Sequence, residues 1–385
     1  MLCERNDEGA MRSKAVRLLM VHIISNLTAL LRTLIGVSMQ ALILAGGKGT
    51  RLRPLTMHTP KPIVPIVNRP FLLYQIDLLK KAGITDIILS LSYQPKKIED
   101  VLGDGTDYSM HIVYTVEAQP LGTAGAFKNA ESYISESTVV FNGDILTDID
   151  LAKVLDQHHT NKATATIVLT RVPNPTSYGL VETGADGRVQ RFLEKPKAEE
   201  VTCNTINAGI YVLEPETLKY IPEGENYSFE YGLFPDLLNQ GAGFYAYISS
   251  DYWLDIGTPQ RYLTANFDIL RDRLNSYHIT ERQRGEKFDE AARIDELSLV
   301  DPSCTIKPGV EIINSVIGPN CFIEEKARIE NCVVWSGTRV GNSAVMFNSI
   351  IGKSCFIGRA AEIKSGSVLG DKSVVTDYSQ IGNGT

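Results

Sequence analysis

In the last third of the chain, aliphatic side chains return every sixth residue: Val300, Ile306 and Ile312, then Ile317, Ile323 and Ile329, then Ile351, Ile357 and Ile363. A helix repeats at about 3.6 residues and a strand at about 2, so neither produces this period. A chain wound into flat-sided coils, with one inward aliphatic per side, does. Gly318, Gly352, Gly358 and Gly370 punctuate the turns. The pattern predicts a left-handed parallel β-helix over residues 300–385, about four or five coils of roughly eighteen residues. The spacing between Ile329 and Ile351 is irregular. In such a coil the position four residues after each aliphatic also points inward and must be small, which accounts for Cys304, Cys321 and Cys355.

A different texture runs from Met39 to Leu274. Short apolar runs alternate with helical patterns at the spacing of βαβ units. Leu72, Ile76 and Leu79 form a helical stripe that Gly83 ends; strands are expected at Ile87–Leu91, Ile112–Val116 and Thr138–Asn142. Ala41–Ala45 is a buried strand that breaks into Gly46, Gly47, Lys48, Gly49, Thr50, Arg51. Glycines there let main-chain N–H groups close on phosphate oxygens. Pro60 and Pro62 stiffen the loop on either side of Lys61, and Arg51 and Arg53 add charge, so the expected guest is a polyanion. The dinucleotide fingerprint fails at Leu52, and no Gly-Lys-Ser/Thr completes a P-loop. Asp144 ends one strand, and Asp255 sits between apolar residues where an unpaired charge is costly, so it needs a cation. Thr258 and Pro259 read as the cap and first residue of a helix with Leu263, Phe267, Leu270 and Leu274 on its apolar face. His158-His159 lacks metal spacing and reads as a solvated helix end. Residues 275–299, charged and weakly patterned, read as a linker.

The net charge of −7 over 385 residues, with no basic tail, argues against nucleic acid as a partner. The six cysteines form no CxxC pair or zinc spacing, which suits a reducing, cytoplasmic compartment. Residues 1–38 have a basic start and an apolar stretch interrupted by His22, Asn26 and Arg32, so no clean membrane span emerges. Three readings of this extension stay open: an upstream start codon wrongly assigned, an amphipathic helix, or a signal or anchor. It is left out of the fold argument.

The segment LAGGKGTRLRPLTMHTPKP, Leu44 to Pro62, resembles the signature of the sugar-1-phosphate nucleotidyltransferases at every fixed position. Residues 40–385 as a whole resemble the NDP-hexose pyrophosphorylases, most closely mannose-1-phosphate guanylyltransferases with a C-terminal hexapeptide-repeat domain. The resemblance implies a Rossmann-like α/β domain with a mostly parallel sheet over residues 39–274, ahead of the β-helix. It implies transfer of a nucleotidyl group from a nucleoside triphosphate to a hexose 1-phosphate, with pyrophosphate released, most closely GTP with mannose 1-phosphate. UTP or dTTP with glucose 1-phosphate is the alternative substrate pair. By the same resemblance, Gly46, Gly47, Gly49, Thr50 and Arg51 hold the β and γ phosphates and Lys61 neutralises charge at the α-phosphate. Asp144 and Asp255 jointly hold Mg²⁺. Leu44, Gly122 and Tyr93 lie on the base side, with Tyr93 standing where some relatives carry a base-reading glutamine. Gly179, Glu194, Lys195 and Asn207 take the sugar phosphate. Two rival classes remain: a hexapeptide acyltransferase, disfavoured because no histidine follows His278, and a non-catalytic nucleotide-sugar sensor. Coils with open edges and flat faces favour a homo-oligomer.

Overall fold

The computed structural model describes residues 39–279 and 291–382. The extension 1–38 and the centre of the expected linker lie outside the described residues.

Four parallel strands form the half of the main sheet that matters for the site: β1 (Gln40–Leu44), β2 (Asp86–Leu91), β3 (His111–Val116) and β4 (Thr138–Asn142), side by side as β4-β1-β2-β3. β1 is central, and Ala41, Leu42 and Ile43 are fully buried because helices cover both faces of the sheet. The covering helices are α1 (Leu72–Lys81), α2 (Pro95–Leu102) and α3 (Gly122–Asn129). Gly83, at φ +79°, ends α1 as a left-handed residue following it, and Pro95 opens α2.

Seven further strands follow, β5 (Ile145–Thr147), β6 (Ala165–Arg171), β7 (Gly179–Thr183), β8 (Val189–Glu194), β9 (Thr205–Leu213), β10 (Phe244–Ile248) and β11 (Trp253–Asp255), of which β6 to β10 make the second half of the sheet. β9 runs antiparallel to β4 and β6, which completes a nine-stranded mixed sheet; β5 and β11 make a separate antiparallel pair. β9 bulges between Asn207 and Tyr211, where Gly209 takes φ +73°. Helix α4 (Leu151–Thr160) is capped by Asp150, whose carboxylate accepts the Ala152 N–H at 3.1 Å. After α5 (Phe234–Asn239) comes α6 (Pro259–Leu270), which Thr258 caps. His158, expected at a solvated helix end, is buried: its ring contacts Thr166 Oγ1 and Glu214 Oε1, each at 2.8 Å.

The C-terminal part is a left-handed β-helix with three parallel sheets of six, five and five strands. Its first strand, Arg293–Ile294, lies inside the stretch expected as linker and already pairs with Glu311–Ile313. Arg293, Glu311, Arg328, Val345, Glu362 and Gln380 stack in register at steps of 17 or 18 residues. The irregular stretch after Ile329 is regular in space, because Val334, Val340 and Met346 fill the inward positions there and all are fully buried. One corner of most coils is a residue shorter than the other two, as from Ile312 to Ile317 and from Met346 to Ile351. The small inward residues fall in a column of Cys304, Cys321, Thr338 and Cys355. Each donates to a backbone carbonyl, at Gly318, Trp335, Gly352 and Gly370 respectively.

The two parts share a core. Leu299, Val316, Val333, Ile350 and Val368 point outward from one β-helix sheet and pack with Leu52 and Leu55 of the signature segment, with Val64 and Ile66 just after it, and with Leu263 and Ile269 of α6. Trp335 Nε1 donates to the Tyr262 hydroxyl at 2.9 Å, and that hydroxyl donates to the Pro65 carbonyl. Asn68 Nδ2 donates to Ile317 O at 2.9 Å.

Candidate active site

Open α/β sheets present ligand sites at the carboxyl ends of their parallel strands, because the strand-to-helix loops converge there. In this chain the residues after β1, β2, β3 and β4 are Ala45-Gly46, Ser92, Glu117 and Gly143-Asp144, and all of them line one cleft of about 460 Å³. Leu44, Gly47, Gly49, Thr50, Arg51, Lys61 and Gly122 complete its expected walls.

The segment from Thr50 to Ile63 is three single 3₁₀ turns, at Thr50–Leu52, Leu55–Met57 and Lys61–Ile63. It doubles back on itself at Gly49, which has φ +58°. A Cβ there would lie 3.1 Å from both Lys61 Cβ and Thr56 Cγ2, so the glycine lets Lys61 close on the phosphate loop. Thr56 Oγ1 fixes the return by donating to Gly49 O at 2.7 Å. Lys61 is 8% exposed, and its ammonium meets Asp144 Oδ2 at 2.8 Å. Gly143 donates to Leu44 O at 2.9 Å, which pins the Asp144 turn against the end of β1.

Asp255 arrives from the other strand pair. It is register partner of Ile145, and Ile256 N donates to Asp144 O at 3.0 Å, so the two aspartates sit on adjacent strand ends. The cation that its burial calls for is supplied within the chain: Arg261 Nη1 donates to Asp255 Oδ2 at 2.6 Å. Gly257 N donates to Oδ1 at 2.6 Å. A Cβ on Gly257 would stand 2.8 Å from Arg51 Nη2, so Arg51 reaches the same corner. Two carboxylates of this kind fit a hard divalent cation, which characteristically takes one or two protein carboxylates and completes its shell with substrate phosphates and water. Among the described residues there is no cluster of three or more His, Cys, Asp or Glu arranged to hold a metal.

Tyr93 does not line the cleft; its hydroxyl donates to Met57 O at 3.3 Å. The polar groups on that side are Ser92 and Glu117, which sequence reasoning missed. Ser92 Oγ donates to Gly46 O at 2.6 Å, and Glu117 accepts from Ser90 Oγ at 3.2 Å and from Leu121 N at 2.9 Å. Each directly follows a parallel strand, a position that carries a signal only once the strands are known to be neighbours.

Gly179, Glu194, Lys195 and Asn207 form a second group on the antiparallel half, outside the cleft wall. Gly179 is register partner of Glu194, and a Cβ on it would lie 2.9 Å from Glu194 Oε2. Burial, with the charge of Glu230, raises the pKa of Glu194. Lys195 is largely exposed and pairs with Glu194 at 3.4 Å. Asn207 Nδ2 donates to the Tyr211 hydroxyl at 2.9 Å. Asn142, which lines the cleft, packs against Gly209 of the same bulge, so the two groups adjoin.

Residues 40–272 match the nucleotidyl transferase family model, and residues 277–381 match that of the EIF2B subunit epsilon LbH domain. The chain belongs to the nucleotidyl transferase family. It is 38% identical over 309 residues to a mannose-1-phosphate guanylyltransferase of Mycobacterium tuberculosis, covering 80% of this chain and 82% of the relative. A UTP–glucose-1-phosphate uridylyltransferase of Synechocystis is 35% identical over 330 residues, with 80% and 85% covered. Among solved structures, HddC from Yersinia pseudotuberculosis superposes with a TM-score of 0.51 at 33% identity, covering 59% of this chain and 97% of HddC. No helix among the described residues is long and apolar enough to cross a membrane.

Proposed function

We propose that the chain transfers a guanylyl group from GTP to mannose 1-phosphate, giving GDP-mannose and pyrophosphate. The observation that carries the reaction class is the Lys61–Asp144 pair closing on the glycine loop, with Arg51 and Asp255 at the same corner. The attacking sugar phosphate has a second pKa of about 6, so it is ionised at neutral pH and needs no general base. The obstacle is repulsion between two polyanions, and the site answers it by position and charge. The amides of Gly46, Gly47 and Gly49 with Thr50 and Arg51 bind the β and γ phosphates. Lys61 neutralises the α-phosphate as the attacking oxygen approaches in line. A divalent cation, Mg²⁺ by its preference for oxygen donors, would bind Asp144 and Asp255 and offset the charge of the leaving pyrophosphate.

Glu117 supports guanine. It sits at the cleft beside Gly46 and just before Gly122, on the side assigned to the base, and its carboxylate offers only acceptors. Guanine presents adjacent N1–H and N2–H₂ donors, which a carboxylate can take together. Uracil and thymine present one N–H between two carbonyls, which a carboxylate repels. On the sugar side, Glu194 accepts hydroxyls and Lys195 meets the phosphate.

The test is pyrophosphate release by the full chain with Mg²⁺, over GTP, UTP, dTTP and ATP against mannose, glucose and glucosamine 1-phosphates. A dominant signal from GTP with mannose 1-phosphate is expected. Activity confined to UTP or dTTP with glucose 1-phosphate would overturn the substrates and keep the chemistry. Silence from a folded protein would favour a sensor. Glu117→Gln, which replaces one acceptor with a donor, is expected to lower the GTP-over-UTP ratio of kcat/KM by about tenfold or more.

A further inference from the structure

The two carboxylates assigned to the metal each touch a cation already, and the two cations differ in their freedom. Lys61 is held in a 3₁₀ turn between Pro60 and Pro62 and is nearly buried, so its ammonium stays with Asp144. Arg261 is a longer side chain that is 35% exposed, on the first turn of α6. The amino end of a helix repels a cation, so the helix itself does not favour a guanidinium there. Asp255 and Tyr178 hold it. Nη1 donates to Asp255 Oδ2 at 2.6 Å, Nη2 donates to the Tyr178 hydroxyl, and the guanidinium carbon lies 5.5 Å from the centre of the Tyr178 ring. Tyr178 is anchored in turn: its ring meets Trp253 edge-on at 5.6 Å, and its carbonyl accepts from Lys195 N at 3.0 Å. Gly257 N occupies Asp255 Oδ1, which leaves Oδ2 as the more open oxygen, and Arg261 sits on it.

We infer that Arg261 is a resident counter-cation of Asp255 that a divalent metal displaces, and that the released guanidinium stays on Tyr178 as a ligand for the hexose phosphate. The inference rests on the assignment of Asp144 and Asp255 to the metal. Before the metal arrives, the arginine spares the protein an uncompensated buried carboxylate. Two cations at contact range on one carboxylate oxygen repel, so metal entry moves the guanidinium. Tyr178 then keeps it beside Gly179, Glu194 and Lys195, and filling the metal site readies the sugar-phosphate site.

Terbium(III), a hard cation that prefers oxygen ligands, is titrated into the free full-length protein, and its luminescence sensitised by Trp253 is followed. Arg261→Gln is expected to bind terbium about fivefold more tightly than the wild type, because a competing charge is gone. Arg261→Lys keeps the wild-type affinity, and Asp255→Asn loses the signal. Terbium affinity in Arg261→Gln equal to or weaker than wild type overturns the exchange. An undiminished signal in Asp255→Asn overturns it together with the metal assignment. These readouts need no substrate, so they stand apart from the test of the reaction. In turnover, Arg261→Gln is expected to raise the KM for the hexose phosphate about tenfold and leave that for the nucleotide unchanged; an unchanged sugar-phosphate KM overturns the ligand role.

Discussion

A methyl group at position 257 would stand 2.7 Å from Asp255 Oδ1 and 2.8 Å from Arg51 Nη2, and both of those groups belong to the proposed site. Gly257→Ala is therefore expected to leave the fold intact and to lower kcat about a hundredfold, as a displacement of about 1 Å in a charged site does. Steady-state kinetics with a circular dichroism spectrum checks both halves. Lys61→Ala and Asp144→Asn each remove one partner of the pair that closes the cleft. Each is expected to lower kcat at least about a hundredfold while secondary structure is retained. At this scale the gathering of Gly46, Gly47, Gly49, Arg51 and Lys61 around one cleft was legible, because glycines, an arginine and a proline-flanked lysine have few other reasons to sit together after a buried strand. Glu117 and Ser92 were not, because a lone polar residue after a strand looks like any turn until the strands are known to be parallel neighbours. Arg261 was invisible for another reason: its partner lies six residues away across a strand-to-helix corner, and no linear spacing marks that contact.

Leu151, Val154, Leu155 and His158 fall on one face of α4, and that stripe carries the histidine into the interior. Reading the His158-His159 pair by its polarity, rather than by its place on the stripe, put it in solvent. His158 joins α4 to β6 through Thr166, and to the end of β9 through Glu214, which also accepts from Ser137 at 2.6 Å. The hydrogen bond from His158, then that from Ser137, holds the Glu214 carboxyl below its usual value of 4.5 against the opposing effect of burial. A depressed carboxylate stabilises the fold above its unfolded pKa and loses that contribution as pH falls through the folded one. Glu214→Gln is accordingly expected to cost stability at pH 7 and progressively less on acidification below about 4.5, read from urea unfolding over a pH series. The helices and parallel strands were legible because stripe and run have different periods. The antiparallel half was less so, since β7 and β8 are partly exposed and present no continuous apolar run. In the β-helix, isoleucine with Val300 carried the visible period; Val334, Val340 and Met346 keep it through the third coil, and a five-residue corner shifts the count.

Trp335 is almost wholly buried between a coil sheet and Tyr262, so the joint between the two parts is packed from both sides. Trp335→Ala is expected to cost about 3–5 kcal/mol and to split a single denaturant transition into two, as the shared core stops coupling the halves. Fluorescence of Trp253 and far-UV circular dichroism, followed through the same urea titration, would separate them; coincident curves would show that the coupling lies elsewhere. The division into a nucleotidyl-transfer half and a coiled half was legible from the change of period alone. Their union was not, because Leu299, Val316, Val333, Ile350 and Val368 come from five successive coils and meet residues of the signature segment, far earlier in the chain, only in three dimensions. That union limits how such a chain can be inherited. The two halves match separate family models, yet a descendant that exchanged one coil for another would have to import a matching row of aliphatic residues with it. Otherwise it would strip the backing from the segment that presents Arg51 and Lys61. The unit that ancestry can trade is the coil together with the wall it rests on.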